Sequence, residues 1–310
     1  MTTSLFITGA TGFVGRRLVD ALVRARVTDV RLLVRNVSKV AATLALPTSW
    51  QCVAGSLDAP MAWRESLRGM HTVVHLASSS GKVSRSVHER AIVRGTEQLL
   101  AAARDAGVKR FLHVSSVAAG FVDRRHYHYA EAKRNAEALV QASELETLIV
   151  RPTMVFGTGS AVLDGMRKLA KLPVPIVFGD GTATVQPIHV DDLAALLLLA
   201  LDSSLPWGGA TITVGGADVV TTEALLRMLR AGAASDVRFT QVAVDPLRTL
   251  LAAVEPVLLP LLPFTAGQLT SFVNRSDAGV PAPLLTTLLA QLSPPLRGLD
   301  AMLSDESRGH

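Results

Sequence analysis

The chain has a single cysteine, Cys52, so no internal disulfide can form and the fold must rest on packing. Cys52 sits in the apolar run Trp50-Gln51-Cys52-Val53-Ala54, which reads as a buried strand thiol in a reducing compartment. Aromatic residues are 5 % of the chain and its cations are scattered, so the net charge of +5 does not read as a nucleic-acid surface. No stretch offers the roughly 18 uninterrupted apolar residues of a spanning helix. The first apolar run has no charged segment ahead of it, so no signal peptide is expected and the expected compartment is the cytoplasm. What is abundant is apolar residue, 49 % of 310, enough to bury a large core in one big domain or two and to exclude general disorder.

The most informative stretch is Thr8-Gly9-Ala10-Thr11-Gly12-Phe13-Val14-Gly15. It follows the apolar run Ser4-Leu5-Phe6-Ile7 and opens into Arg16 to Val23, whose apolar residues recur at helical spacing. Strand, glycine turn and helix in that order make an anion cradle. Gly9 permits the sharp turn, Gly12 a close approach to a pyrophosphate, and Gly15 tight helix packing, while the first helical N–H groups face the phosphates. Val30 to Val34 reads as the second strand, and an acidic residue at its end would select NAD. Arg35 stands there with Lys39 four residues on, which favours the 2′-phosphate of NADP(H) over NAD(H).

Trp50 to Ala54 and Thr72 to Ala77 read as third and fourth strands, the latter enclosing His75 as a core histidine and leading to the polar loop Ser78-Ser79-Ser80-Gly81. A helix over Val87 to Ala106 ends at Gly107, and Phe111 to Ser116 forms a fifth strand ending in two serines, of which alternation lets only one face a site. A helix from about Tyr129 places Tyr129 and Lys133 on one face. Strands near Glu146–Pro152 and Thr211–Val214 continue the alternation, which implies a parallel sheet covered on both sides. Asp191 and Asp192 read as cap and first turn of a helix rather than metal ligands, so no metal is expected, and Thr222 reads as the cap of a helix over Glu223 to Arg230. The fold class expected is α/β, a Rossmann-type doubly wound sheet with a smaller, mainly helical C-terminal region. Residues 1–155, with 187–215 packing back, would hold a dinucleotide; 156–186 and 216–310 would hold substrate. The apolar stretch from Pro246 to Pro263 reads either as a helical hairpin closing the pocket or as a surface for a membrane or protein partner.

These residues resemble the extended and atypical short-chain dehydrogenase/reductases of the NAD-dependent epimerase/dehydratase type. The glycine turn, His75-Leu76-Ala77, Gly107 to Phe111 with Ser115-Ser116, Tyr129 with Lys133, and Arg151-Pro152 carry the likeness. Gly179-Asp180-Gly181, Gln186 to Asp192 and Phe264 to Leu269 are similar to the branch containing the nucleotide-binding accessory subunit of respiratory complex I. The resemblance implies Tyr129 as general acid/base, Lys133 on the nicotinamide ribose and lowering the tyrosine pKa, and Ser116 on the reacting oxygen. It implies cofactor contacts from Gly9, Thr11, Gly12, Phe13, Val14, Gly15, Arg35, Lys39, Ser56, Leu57, Asp58, Ala77, Ser78, Lys133 and Pro152. Two positions depart from it: Ser56 replaces the usual acid after the third strand, and Ile92 the asparagine before Val93-Arg94-Gly95-Thr96. The expected activity is hydride transfer to or from a carbonyl or secondary alcohol of a small molecule. The alternatives are an epimerase or dehydratase with tightly held nicotinamide, or a dinucleotide-bound scaffold.

Overall fold

The computed structural model describes residues 4–230, 237–259, 261–262 and 264–307. In the first half, strands β1 (Leu5–Thr8), β2 (Val30–Val34), β3 (Gln51–Ala54), β4 (Thr72–His75), β5 (Arg110–Val114) and β6 (Glu146–Pro152) alternate with helices α1 (Phe13–Arg24), α2 (Val37–Thr43), α3 (Arg85–His88), α4 (Gly95–Asp105) and α5 (His128–Gln141). In the second half come strands β7 (Val155–Phe156), β8 (Ile176–Phe178), β9 (Thr184–Val185), β10 (Ile188–His189), β11 (Thr211–Val214), β12 (Val220–Thr221) and β13 (Thr240–Val242). Helices α6 (Ala161–Ala170), α7 (Val190–Ala200), α8 (Thr222–Arg230), α9 (Val244–Leu258), α10 (Ala266–Thr270), α11 (Pro283–Gln291) and α12 (Leu299–Ser307) accompany them.

Seven strands form one parallel sheet in the order β11-β6-β5-β4-β1-β2-β3. β1, β4 and β5 are buried along their whole length, which requires cover on both faces and explains their unbroken apolar reading. Side chains alternate accordingly. Leu5, Ile7, Leu32, Val74 and Leu112 join one core with α1 and α7, while Phe6, Leu33, Val73, Phe111 and Ile149 join another with α4. Leu285 and Leu288 of α11 also belong to the first core, so this late helix covers the sheet through α7. Strand order reverses between β1 and β4, where Leu5 to Thr8 pair with Thr72 to His75. That is the point at which open α/β sheets leave a crevice at their C-terminal ends.

A separate apolar cluster joins α6, α8, α9 and α10 through Leu163, Met166, Leu225, Leu251 and Leu269. Among its described residues the stretch from Pro246 to Pro263 forms one helix, the length of α9 up to Leu258, and not a hairpin of its own; α9 packs on α10, which starts beyond the stretch, and Pro260 and Pro263 lie outside the described residues. Two expected caps shift by a residue or two. α7 begins at Val190, so Asp191 falls in its first turn and donates its N–H to His189 Nδ1 at 3.2 Å. α8 begins at Thr222, whose hydroxyl is drawn to the Ala183 carbonyl at 3.0 Å, so Thr221 Oγ1 takes the Ala224 N–H instead. The expected helix over Val87 to Ala106 starts at Arg85 and contains a π-helical stretch, Glu89–Arg94.

Candidate active site

The crevice opens as a cavity of about 620 Å³ at the C-terminal ends of β1, β4, β5 and β6. Gly9, with φ +77°, turns the chain out of β1; a Cβ there would lie 2.5 Å from the Ala77 backbone nitrogen. A Cβ on Gly15 would stand 2.1 Å from the Gly9 carbonyl oxygen, so α1 can rest on the turn only with glycine there. No side chain caps α1 at Gly12, and its first-turn residues Phe13, Val14 and Gly15 line the cavity. Their unclaimed N–H groups and the positive end of the helix suit a pyrophosphate, so this chain fits a dinucleotide.

Of the remaining predicted contacts, Ser78, Lys133 and Pro152 also line the cavity, whereas Thr11, Leu57 and Ala77 do not. Arg35 is exposed at the end of β2; the Lys39 side chain lies outside the described residues. The Gly55 N–H donates to the Val34 carbonyl at 2.9 Å, so Arg35 and Ser56 leave adjacent strand ends. The Trp63 indole donates to the Ser56 carbonyl at 2.7 Å and fixes that corner. Asp58 stays exposed, its carboxyl held below the usual range by Ser56 and, more weakly, by Arg90.

Ser116, Tyr129 and Lys133 meet in the same cavity. Lys133 is 1 % exposed and its Nζ donates to the Val114 carbonyl at 2.9 Å, standing 6.0 Å from the Tyr129 ring centre. Burial lowers the Lys133 pKa to about 8, against the opposing pull of Glu137. Glu137 is clamped by Arg151 through bonds of 2.9 and 2.5 Å, so its charge is shared. Tyr129 shows the opposite of the expected shift. Desolvation by burial and the neighbouring Tyr127 raise its pKa above the ordinary value near 10, and only Ser116 pulls it down. The physical reason is that Lys133 is turned to Val114 while the ring is enclosed.

Both serines line the cavity, which corrects the expectation of one. Strand alternation ends at Val114, and Ser116 caps a turn over Val117–Gly120 by accepting the Ala118 N–H at 3.2 Å. Ser115 Oγ is buried without a hydrogen-bond partner among the described residues. Two wall residues escaped the sequence reading: Tyr127, and His88, whose ring stands edge-on to Tyr129 at 5.6 Å and whose Nδ1 meets Ser79 Oγ at 2.9 Å. Burial and His128 push the His88 pKa down to about 4, so its ring is neutral. Neither had a signal, because helical periodicity treats a cavity-facing ring like a core ring.

His75 is a core histidine, as read from the sequence. Thr96 gives its hydroxyl proton to the Ile92 carbonyl at 2.6 Å, so it must accept from His75 Nε2 at 3.0 Å; His75 Nδ1 then accepts from Thr8 at 2.7 Å. His113, 5.2 Å away ring to ring, has neither nitrogen bonded among the described residues. The far wall is held by Arg248, 2 % exposed, which bonds Asp123 at 2.8 Å and also Asp245, tying the loop before α5 to α9.

The model of the NAD dependent epimerase/dehydratase family matches residues 5–215. Curated relatives include a 4-hydroxy-2-methyl-3-oxo-4-farnesyl-3,4-dihydroquinoline-1-oxide ketoreductase of Stigmatella aurantiaca, 35 % identical over 49 % of this chain. A ceramide reductase of Caulobacter vibrioides is 36 % identical over 62 % of it. The match spans only 50 % and 59 % of those two relatives' lengths. Among solved structures, a nucleoside-diphosphate-sugar epimerase of Staphylococcus aureus superposes with TM-score 0.72 at 17 % identity, over 97 % of this chain and 99 % of that one. A dTDP-glucose 4,6-dehydratase of Streptomyces venezuelae with NAD bound gives 0.64 at 24 %, over 78 % and 84 %. At such identities the likeness is one of fold. With its glycine turn and its sheet order, the chain belongs to the NAD dependent epimerase/dehydratase family.

Proposed function

We propose that this chain is an NAD(P)(H)-dependent oxidoreductase acting on a carbonyl or secondary alcohol, with the seven-stranded half holding the dinucleotide and the second apolar cluster facing the substrate. The observation that carries the reading is the convergence of Ser116, Tyr129 and Lys133 on the cavity that also receives the first turn of α1. When bound, the nicotinamide supplies or takes up the hydride. Tyr129, kept as a phenol by its burial, gives its proton to the substrate oxygen in the reducing direction. Ser116 orients that oxygen, and the Lys133 ammonium, anchored on Val114, favours the phenolate left behind. Proton return from water resets the phenol. Arg35 at the end of β2 supports a preference for NADP(H).

Tyr129→Phe tests the reading. Quenching or enhancement of NADPH fluorescence should give an affinity within about threefold of the parent, while turnover falls at least about a hundredfold. Full turnover in the variant would remove Tyr129 from the chemistry.

A further inference from the structure

We propose that the substrate is an uncharged, predominantly apolar carbonyl or alcohol of lipid size rather than a nucleotide sugar; this rests on the oxidoreductase reading of the same cavity. Beyond Tyr129 the wall is built from Phe121, Met166, Leu169, Phe264 and Phe272. A nucleoside diphosphate brings two further negative charges beside the dinucleotide's own pyrophosphate, which already takes the N-terminus of α1, so removing them from water calls for additional charge-assisted donors, arginine above all. No arginine lines the cavity among the described residues, and its one lysine, Lys133, is already bonded to the Val114 carbonyl. Its one carboxylate among the described residues, Glu255, accepts the Ala266 N–H and would repel phosphate. His88 is a neutral ring, His128 faces Glu131 at 3.4 Å, and Ser160 already takes the Leu163 N–H at the start of α6, which leaves His126 and the first two N–H groups of that helix against two phosphates, with neither an arginine nor a free lysine beside them among the described residues.

The apolar lining continues outwards. Glu255 and Phe264 line the cavity on either side of the end of α9, and Leu261 between them is 80 % exposed. Lys82 reaches across to the Leu262 carbonyl at 2.6 Å, joining this segment to the loop of Gly81 and Val83 on the opposite rim. In the reducing direction the substrate's C=O π bond is broken. The new O–H bond takes the Tyr129 proton, and the new C–H bond would take the hydride that a bound reduced nicotinamide would supply, being itself oxidised in exchange.

The test uses the full chain with NADPH, a series of methyl ketones of increasing length carried in cyclodextrin, and UDP-glucose. The KM of the ketones should fall about three- to fourfold with each added methylene until the wall is filled. Calorimetric titration with the dinucleotide site filled by NADP+ should show the long ketones binding and UDP-glucose not. Val162→Glu, at a wall position 48 % exposed and so tolerant of charge, should raise the long-chain KM at least about tenfold with unchanged NADPH affinity. UDP-glucose binding, a KM independent of chain length, or no ketone binding at all would overturn the substrate class even if NADPH were oxidised. Long-chain ketone binding without any NADPH oxidation would instead uphold the class and sink the oxidoreductase reading.

Discussion

Tyr129 and Lys133 sit four residues apart, yet they are tuned separately. The phenol is held protonated by enclosure, and the ammonium is made easier to discharge by the same enclosure. Burial outweighs the attraction between them because Nζ is directed at a backbone carbonyl rather than at the phenol. At neutral pH both groups carry their protons, which suits reduction of a carbonyl better than oxidation of an alcohol. At the other end of the dinucleotide, the proposed pairing of Arg35 with a 2′-phosphate predicts that Arg35→Asp lowers the affinity for NADPH relative to NADH by about tenfold or more, since a charge-assisted bond would give way to repulsion. Parallel fluorescence titrations measure it, and an unchanged ratio would free Arg35 of that role. The Tyr129 and Lys133 pairing was legible from helical spacing. His88 and Tyr127 were not, nor was the loss of alternation at Ser116, because each depends on where the chain turns after its element ends.

At the scale of elements, the glycine turn distinguishes two demands that the sequence motif writes with the same letter. A Cβ on Gly15 would collide with the Gly9 carbonyl at 2.1 Å, backbone against backbone, so Gly15→Ala must part α1 from β1. A Cβ on Gly12 would stand 3.2 Å from that same oxygen, a contact that yields with a small shift. Gly15→Ala should therefore cost about 1–3 kcal/mol in urea unfolding, with Gly12→Ala costing less and acting chiefly on dinucleotide affinity. Equal losses of stability would show that the turn, not the helix contact, governs both. The sheet was readable because strands buried on both faces announce themselves as apolar runs. The pairings of β7 with β10, β8 with β13 and β9 with β12 span two or three residues each, too short for a period to show. The π-helical stretch was equally hidden, since widening a turn leaves the composition of a helix unchanged.

The molecule as a whole keeps His75, His88 and His113 neutral. Burial is the leading cause in each, bringing His75 to about 3 and His88 to about 4 and holding His113 well below its usual value. Unfolding would return all three to about 6.5, so the unfolded chain binds more protons than the folded one below that pH. Their share of stability is complete above about pH 6.5 and is lost as the pH falls towards 4 and then 3. Thermal melts should drop by at least about 5 °C between pH 7 and pH 5. His113→Phe should flatten part of that slope, because neither ring nitrogen makes a bond to lose. An unaltered slope would assign the acid lability to other groups.

β11 closes the sheet beside β6, where Ile149 donates its N–H to Ala210 at 2.9 Å and Thr153 to Val214 at 3.0 Å. During synthesis those acceptors do not exist until the ribosome has passed Val214, some sixty residues after β6 has emerged. Throughout that interval the apolar run of Leu148, Ile149 and Val150 presents a bare edge to whatever strand it meets. A nascent chain halted before β11 would thus carry the whole glycine cradle and most of the sheet, and would be a substrate for chaperones rather than a smaller working protein.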